Sequence, residues 1–352
     1  MRKYIPINSN GFQHYDFLYS DNQRNKTSLK NTTDISKHYI KQKENFHQID
    51  KNSLVAGHEI HFPIFTNKNF VFYIVAEASN ISPGKIPSGL SDIEADFFIK
   101  NTDISLYNEY LESLSNALLF DKSREKVKTL LIKEKTKIII RNVLSDPRSG
   151  EGVRLSAIAV ENIVNSIFEN RDIIYDLLSI KTHDYYTYTH SVNVAVLSIG
   201  FGVALSLSTT EIFNLGFGSI LHDIGKSTIP AEILNKQGRL NRTEFLIMRN
   251  HVVEGGTILR GHKDFPESAF PAVMQHHEKL SGRGYPFGLD GVKINLFGKI
   301  AAITDTYDAL TTQRPYKPAL TPFAALDLIS KETGSYDHQL LEVFIKMLGK
   351  VE

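Results

Sequence analysis

Seven side chains between residues 190 and 305 belong to the classes that ligate metal ions: His190, His222 beside Asp223, His251, the pair His276 and His277, and Asp305. Singly, each has an ordinary explanation, since a histidine near a helix end favours the dipole and an aspartate often sits at a turn. Jointly they do not. Burying so many titratable groups in one helical core would cost several kcal/mol in unpaired polar atoms, whereas a cation turns each into a satisfied ligand. Imidazole with carboxylate, and no thiolate, is the ligand set of catalytic Mn, Fe, Ni or Zn sites with open coordination, not of closed structural zinc. In "HDIGKS", residues 222 to 227, the His–Asp pair ends an apolar run and turns through Gly225 into Lys226. An Asp beside a His at a helix end can bridge two ions about 3.5–4 Å apart, the clamp for an in-line displacement at phosphorus. A phosphoesterase is the expected class.

Composition narrows the setting. At 352 residues, 41% hydrophobic and 22% charged, the chain has room for two globular domains. Lys and Arg number 40 against 39 Asp and Glu, a net charge of +1, so no overall basic field draws the chain to a nucleic-acid polymer or a membrane. With no cysteine, any metal must be held by nitrogen and oxygen. "MRKYIPINSNGFQHYDF" lacks the apolar core of a secretory signal, and "VNVAVLSIGFGVALSL" (192–207) is too short and too polar to span a bilayer, so a cytoplasmic location is expected.

The elements that must position these residues follow from periodicity. "NFVFYIVAEA" (69–78) and "ADFFIK" (95–100) read as short buried strands on either side of a Pro- and Gly-containing loop, "SPGKIPSG". Residues 1–110 are therefore expected to form a small α/β domain. Residues 111–152 read as a helical linker ending in the turn-rich "SDPRSGEG", and 153–352 as an all-α domain. Within it, Ser208 with Glu211 and Asn241 with Glu244 have capping-box spacing, and Thr321-Pro322 opens a further helix. The fold class is α+β overall, with the chemistry in the helical part.

Four motifs in order, "DYYTYTHS", "HDIGKS", "HHEKLSGRGYPFGL" and "ITDTYDALTTQRPYK", carry a resemblance. From about residue 153 to 345 the chain resembles the HD-GYP domain family of the HD phosphohydrolase superfamily, whose members hydrolyse cyclic di-GMP. The resemblance implies that His190, His222, Asp223 and Asp305 hold one divalent ion. Asp223 then bridges to a second ion completed by His251, His276 and His277, with Fe or Mn as the expected metals. It further implies a hydroxide between the ions attacking phosphorus, with Lys226 contacting a non-bridging oxygen and assisting the departing 3′ oxygen. The loop Gly284-Tyr285-Pro286 is implied as a substrate contact, through stacking or a hydrogen bond from Tyr285, and as a surface for protein partners. Asp308 is implied to pair with a guanine edge, and Arg314 and Lys317 to neutralise phosphate.

Two departures from the family pattern stand out. Ser281 occupies a position that is usually Asp, which is expected to alter loop packing more than metal ligation. Tyr185 replaces a Glu that serves a third metal in some members, so two ions are expected and not three. Nothing in the first 110 residues names a ligand; a sensing or dimerising role, and with it a homodimer, rests on analogy alone. The expected activity is hydrolysis of cyclic di-GMP to pGpG and onward to GMP. Hydrolysis of another cyclic dinucleotide or nucleotide, or a non-catalytic signalling module, are the alternatives.

Overall fold

A computed structural model describes residues 45–68, 71–93, 95–117, 124–179, 187–236, 238–312 and 318–349. The chain divides into two compact units between Leu131 and Ile132.

The first unit contains strands β1 (Phe46–Ile49), β2 (Glu59–Ile60), β3 (Ile64–Lys68), β4 (Val71–Ala76), β5 (Gly84–Lys85) and β6 (Phe97–Lys100), followed by helix α1 (Ile104–Ala117). Four of the strands make an antiparallel sheet in the order β1-β6-β3-β4, and β2 pairs with β5. The two strands expected from the sequence are β4 and β6. The expected loop between them contributes the two residues of β5, because their peptide groups find partners on β2. Apolar alternation places Phe46, Phe65, Phe72 and Phe98 in one buried cluster, with Phe46 stacked on Phe72 at 3.9 Å.

Helix α2 (Arg124–Ser145) contains the division between the units. Beyond it run α3 (Gly150–Glu169), α4 (Ile173–Ser179), α5 (Thr187–Ala204), α6 (Thr209–Ile220), α7 (Ala231–Leu234), α8 (Arg242–Arg249), α9 (His251–Arg260), α10 (Phe270–Gln275), α11 (Leu296–Thr311), α12 (Pro322–Lys331) and α13 (His338–Leu348). Both expected capping boxes form, at Ser208 with Glu211 and at Asn241 with Glu244, and Thr321 caps α12 ahead of Pro322.

Helix α5 is the axis of this second unit. Val192, Val194, Ala195, Val196, Leu197, Ile199 and Phe201 are all buried, on every face of the helix, because α3, α6 and α11 pack around it. At about 1.5–3 kcal/mol for each large apolar side chain, this burial is what pins the helix that carries His190. The amphipathic reading of α2 missed one feature: Lys133, Glu134 and Lys137 are buried there. Lys137 pairs with Glu134 at 2.6 Å, and Lys133 donates to the carbonyl of Leu177. Among the described residues, no helix is long and apolar enough to cross a membrane.

Candidate metal centre

The seven expected ligands converge from five places in the helical unit. His190 projects from α5 and Asp305 from α11; His222 and Asp223 follow the end of α6; His251 opens α9; His276 and His277 follow α10. His190 Nε2 lies 3.0 Å from Asp305 Oδ1 and 3.8 Å from Asp223 Oδ2, and His222 Nε2 lies 3.3 Å from Asp223 Oδ2. On the other side, His251 Nε2 lies 3.4 Å from Asp223 Oδ1 and 3.3 Å from His276 Nε2. Three overlapping sets each have ligand atoms within 4.8 Å of one another: His190, His222 and Asp305; His222, Asp223 and His276; and His251, His276 and His277. Asp223 thus directs one oxygen toward each half of the cluster.

Local structure explains how the turn brings these groups together. After Ile220 the chain tightens into a 3-10 helix over Ile224–Thr228, which packs against the start of α9. A Cβ at Gly225 would sit 1.9 Å from the carbonyl oxygen of His251, so only glycine lets the turn approach that helix. The same turn lays Lys226 Nζ 2.5 Å from Asp223 Oδ2.

The outer nitrogens are held too. His222, His251 and His276 direct Nδ1 at the carbonyls of Ser219, Met248 and Val273, at 2.7, 2.7 and 2.8 Å. A carbonyl only accepts, so Nδ1 carries the proton in all three and Nε2 presents its lone pair inward. His190 differs: its Nδ1 lies 2.6 Å from Asp308 Oδ2. The other Asp308 oxygen accepts from Asn193 at 2.8 Å and Thr312 at 3.0 Å. Spacings of three residues on both α5 and α11 put His190 with Asn193, and Asp305 with Asp308, on facing stripes.

This geometry corrects the expectation for Asp308. The residue is buried at 3% exposure and its two oxygens are taken by three donors, so it braces His190 from behind and does not present itself to a guanine edge. Asn193, which the sequence reading missed, belongs to the same brace; its only signal was a polar residue three positions after His190 in an apolar helix.

The electrostatics suit ligation. Burial opposes ionisation of Asp223, yet His222 and Lys226 outweigh it and hold the carboxyl well below the usual range. Burial likewise opposes a charge on Asp305, and His190 overrides it to the same effect. Burial lowers His251, holds His276 well below its ordinary value, and takes His277 down to about 3. Burial also works against a charge on His190, but Asp305 and Asp308 together raise it to about 9. The cluster therefore offers charged carboxylates and mostly neutral imidazoles. His222 Nε2 and Asp223 Oδ1 are buried without a hydrogen-bond partner, which is the arrangement a cation between them would satisfy. The donor set fits divalent metal.

The "GRGYP" loop closes over the cluster. Glu278, buried next to His277, accepts the backbone N–H of Phe287 at 2.7 Å and of Leu289 at 2.9 Å, and the Tyr285 N–H bonds the carbonyl of His277 at 3.1 Å. A Cβ at Gly284 would come within 2.4 Å of the Glu278 Cα, so glycine is needed where the loop folds back. The Tyr285–Pro286 peptide is cis. The Tyr285 ring lies 4.6 Å from that of His277, and burial, aided by Asp305 and Asp223, raises its hydroxyl, which stays a neutral donor. Ser281 is exposed and bridges to Asp290, with its N–H on the carbonyl of Gly334, away from the ligand set. Tyr185, Arg314 and Lys317 lie outside the described residues.

Residues 172–340 match the HD domain family. A cyclic di-GMP phosphodiesterase of Pseudomonas aeruginosa is 33% identical over 62% of this chain and 53% of its own length. The 3′3′-cGAMP-specific phosphodiesterase 1 of Vibrio cholerae is 34% identical over 46% of this chain and 38% of that protein. The chain thus spans about half or less of the length of these curated relatives. An HDG"Y"P protein from Bdellovibrio bacteriovorus shares the fold, with a TM-score of 0.66 over 86% of this chain and 99% of that one at 19% identity. Motif order, a metal-competent cluster of buried imidazoles and carboxylates, and the match of residues 172–340 to the HD domain family agree: this part of the chain is similar to HD domains.

Proposed function

We propose that the chain is a metal-dependent phosphodiesterase that opens cyclic di-GMP to pGpG and releases GMP as the further product. The observation that carries this reading is the position of Asp223, which reaches both halves of the cluster, with its Oδ1 and the inward Nε2 of His222 buried and without a hydrogen-bond partner. His190, His222, Asp223 and Asp305 would hold one divalent ion, and Asp223, His251, His276 and His277 a second, with Fe or Mn the metals that the family resemblance implies. Bound there, such a pair supplies a nucleophile at neutral pH and neutralises charge at phosphorus.

The chain's own residues do the rest. Lys226, partly exposed beside Asp223, places an ammonium at the mouth of the site, where it contacts a non-bridging phosphate oxygen. As water oxygen bonds to phosphorus and the P–O3′ bond breaks, Lys226 gives the departing 3′ oxygen its proton, leaving a 5′-phosphate on the linear product. The Tyr285 hydroxyl, a neutral donor on an anchored loop, offers a second hydrogen bond to phosphate. The buried imidazoles keep bulk water from the ligand atoms.

The test is chromatographic. Protein purified without oxygen is incubated with cyclic di-GMP and either Fe(II) or Mn(II), and products and metal content are followed together. About two metals per chain with pGpG or GMP formed is the expected result; bound metal with unchanged nucleotide overturns the reading. The 34% identity to a 3′3′-cGAMP-specific enzyme favours one second reading, a mixed guanine–adenine substrate, which competition across cyclic dinucleotides separates from the first.

A further inference from the structure

Arg249 is the last residue of α8, two positions before His251, and no role has been assigned to it. Its guanidinium carbon lies 4.6 Å from the centroid of the Tyr285 ring and 5.9 Å from that of Phe245. Tyr285 in turn lies 4.6 Å from His277, and Phe245 meets Tyr285 edge-on at 6.1 Å. An unbroken series of contacts therefore runs from a metal-ligand imidazole, through the loop tyrosine, to a cation at the rim. The arginine is half-buried, yet no carboxylate among the described residues pairs with it.

A guanidinium partly withdrawn from water without a counter-ion is a cost that a bound anion would relieve. Packing against an aromatic ring orients the planar group and leaves its in-plane N–H fork open, the geometry that bonds phosphate bidentately. The phosphate undergoing cleavage must lie against the metal ligands beside Lys226. Arg249 is set off from those ligands by the Tyr285 ring, so it is placed for a second anion a short distance outward. A cyclic dinucleotide carries two phosphodiesters on one ring, so seating one at the cluster brings the other to the rim.

We propose that Arg249 binds the phosphate of the cyclic dinucleotide that is not being cleaved, and so sets affinity for substrates with two phosphodiesters. The inference rests on the reading of the site as a cyclic-dinucleotide phosphodiesterase. It adds to the phosphate role expected of Arg314 and Lys317.

The test compares the metal-loaded full chain with its R249M and R249K variants on cyclic di-GMP, cyclic di-AMP and 3′3′-cGAMP, and on bis(p-nitrophenyl) phosphate, which has one phosphodiester and no bases. Losing one charge-assisted contact should raise KM about tenfold for whichever cyclic dinucleotide the wild type accepts, with kcat changed less than about twofold. Arg249→Lys should recover part of that loss, and kcat/KM for the aryl diester should stay within about twofold of wild type. Equal losses on both kinds of substrate, or a fall in kcat alone, would mean that Arg249 merely supports Tyr285, and an unchanged KM would mean no contact; each overturns the inference while the proposed function stands. Should Arg249→Met not fold, Arg249→Lys on the same substrates decides, since it keeps the charge but not the fork. A wild type that cleaves the aryl diester and no cyclic dinucleotide defeats the proposed function and this inference together.

Discussion

Two regions of the candidate metal centre, its helix-end imidazoles and the mid-helix His190, are held by different means. His222, His251 and His276 each direct Nδ1 at the carbonyl three residues earlier, in the last turn of a helix, where carbonyls are open to side-chain donors. Their tautomers are set by local backbone geometry. His190 sits inside α5, where carbonyls are already used by the helix, and its brace must come from Asp308, 118 residues away. The backbone braces cannot be removed by changing a side chain, whereas the carboxylate brace can. The brace on three of the imidazoles is thus prescribed locally, and that on His190 depends on α5 and α11 being packed together.

The largest expected effect erases the comparison. Replacing His222 and Asp223 with Ala removes one imidazole of the His190 half and the carboxylate that both halves share, and product should fall to background in the assay with Fe(II) or Mn(II); retained turnover would refute the metal assignment. A smaller effect sharpens it. Asp308→Asn should weaken metal binding in the His190 half by about 10–100-fold while leaving the His251, His276 and His277 half intact. Metal titration would then show one tight and one weakened site, against two tight sites in the wild type. Equal weakening of both, or of neither, would show that the carboxylate brace is not specific to its half.

Acid and base should act on the two halves in opposite directions. His190 is raised to about 9, so in metal-free protein the folded state holds its proton above the unfolded value. The stability it contributes is complete below about pH 6.5 and is lost as pH rises toward 9. His277, taken down to about 3, resists protonation that the unfolded chain accepts, so its share is lost as pH falls from about 6.5 toward 3. Melting temperature of the metal-free protein should therefore peak near pH 6.5 and decline by several degrees on either side. His190→Gln should remove the alkaline decline and spare the acid one. Persistence of the alkaline decline in that variant would place its origin elsewhere.

How much of this was legible beforehand depended on whether the governing interaction was local. The capping boxes at Ser208 and Asn241, the cap at Thr321 and the end of α6 before His222 are set by residues within one turn, and all were readable. The two strands flanking the loop at 82–89 were readable from apolar runs, while the short β2–β5 pair was not, because a two-residue strand has no pattern of its own. The burial of Lys133, Glu134 and Lys137 in α2 was likewise invisible: charged side chains at helical spacing read as a solvated face until a neighbouring carbonyl and a partner carboxylate are known. Asp308 shows the same limit at the site. Its motif suggested an exposed substrate contact, and only the facing stripe of α5 reveals that His190 and Asn193 consume it.

The amino-acid sequence by itself determined the helical class of the site-bearing domain and singled out the seven imidazoles and carboxylates that the fold gathers into one cluster, because residue chemistry and short-range periodicity are properties of the chain alone. Tertiary structure alone decided that Asp308 braces His190 while Asp305 faces the cluster, that Asp223 directs an oxygen toward each half, and that Arg249 stands over Tyr285 without a carboxylate partner among the described residues. Those facts are distances between residues far apart in the chain, and packing between helices is what sets them.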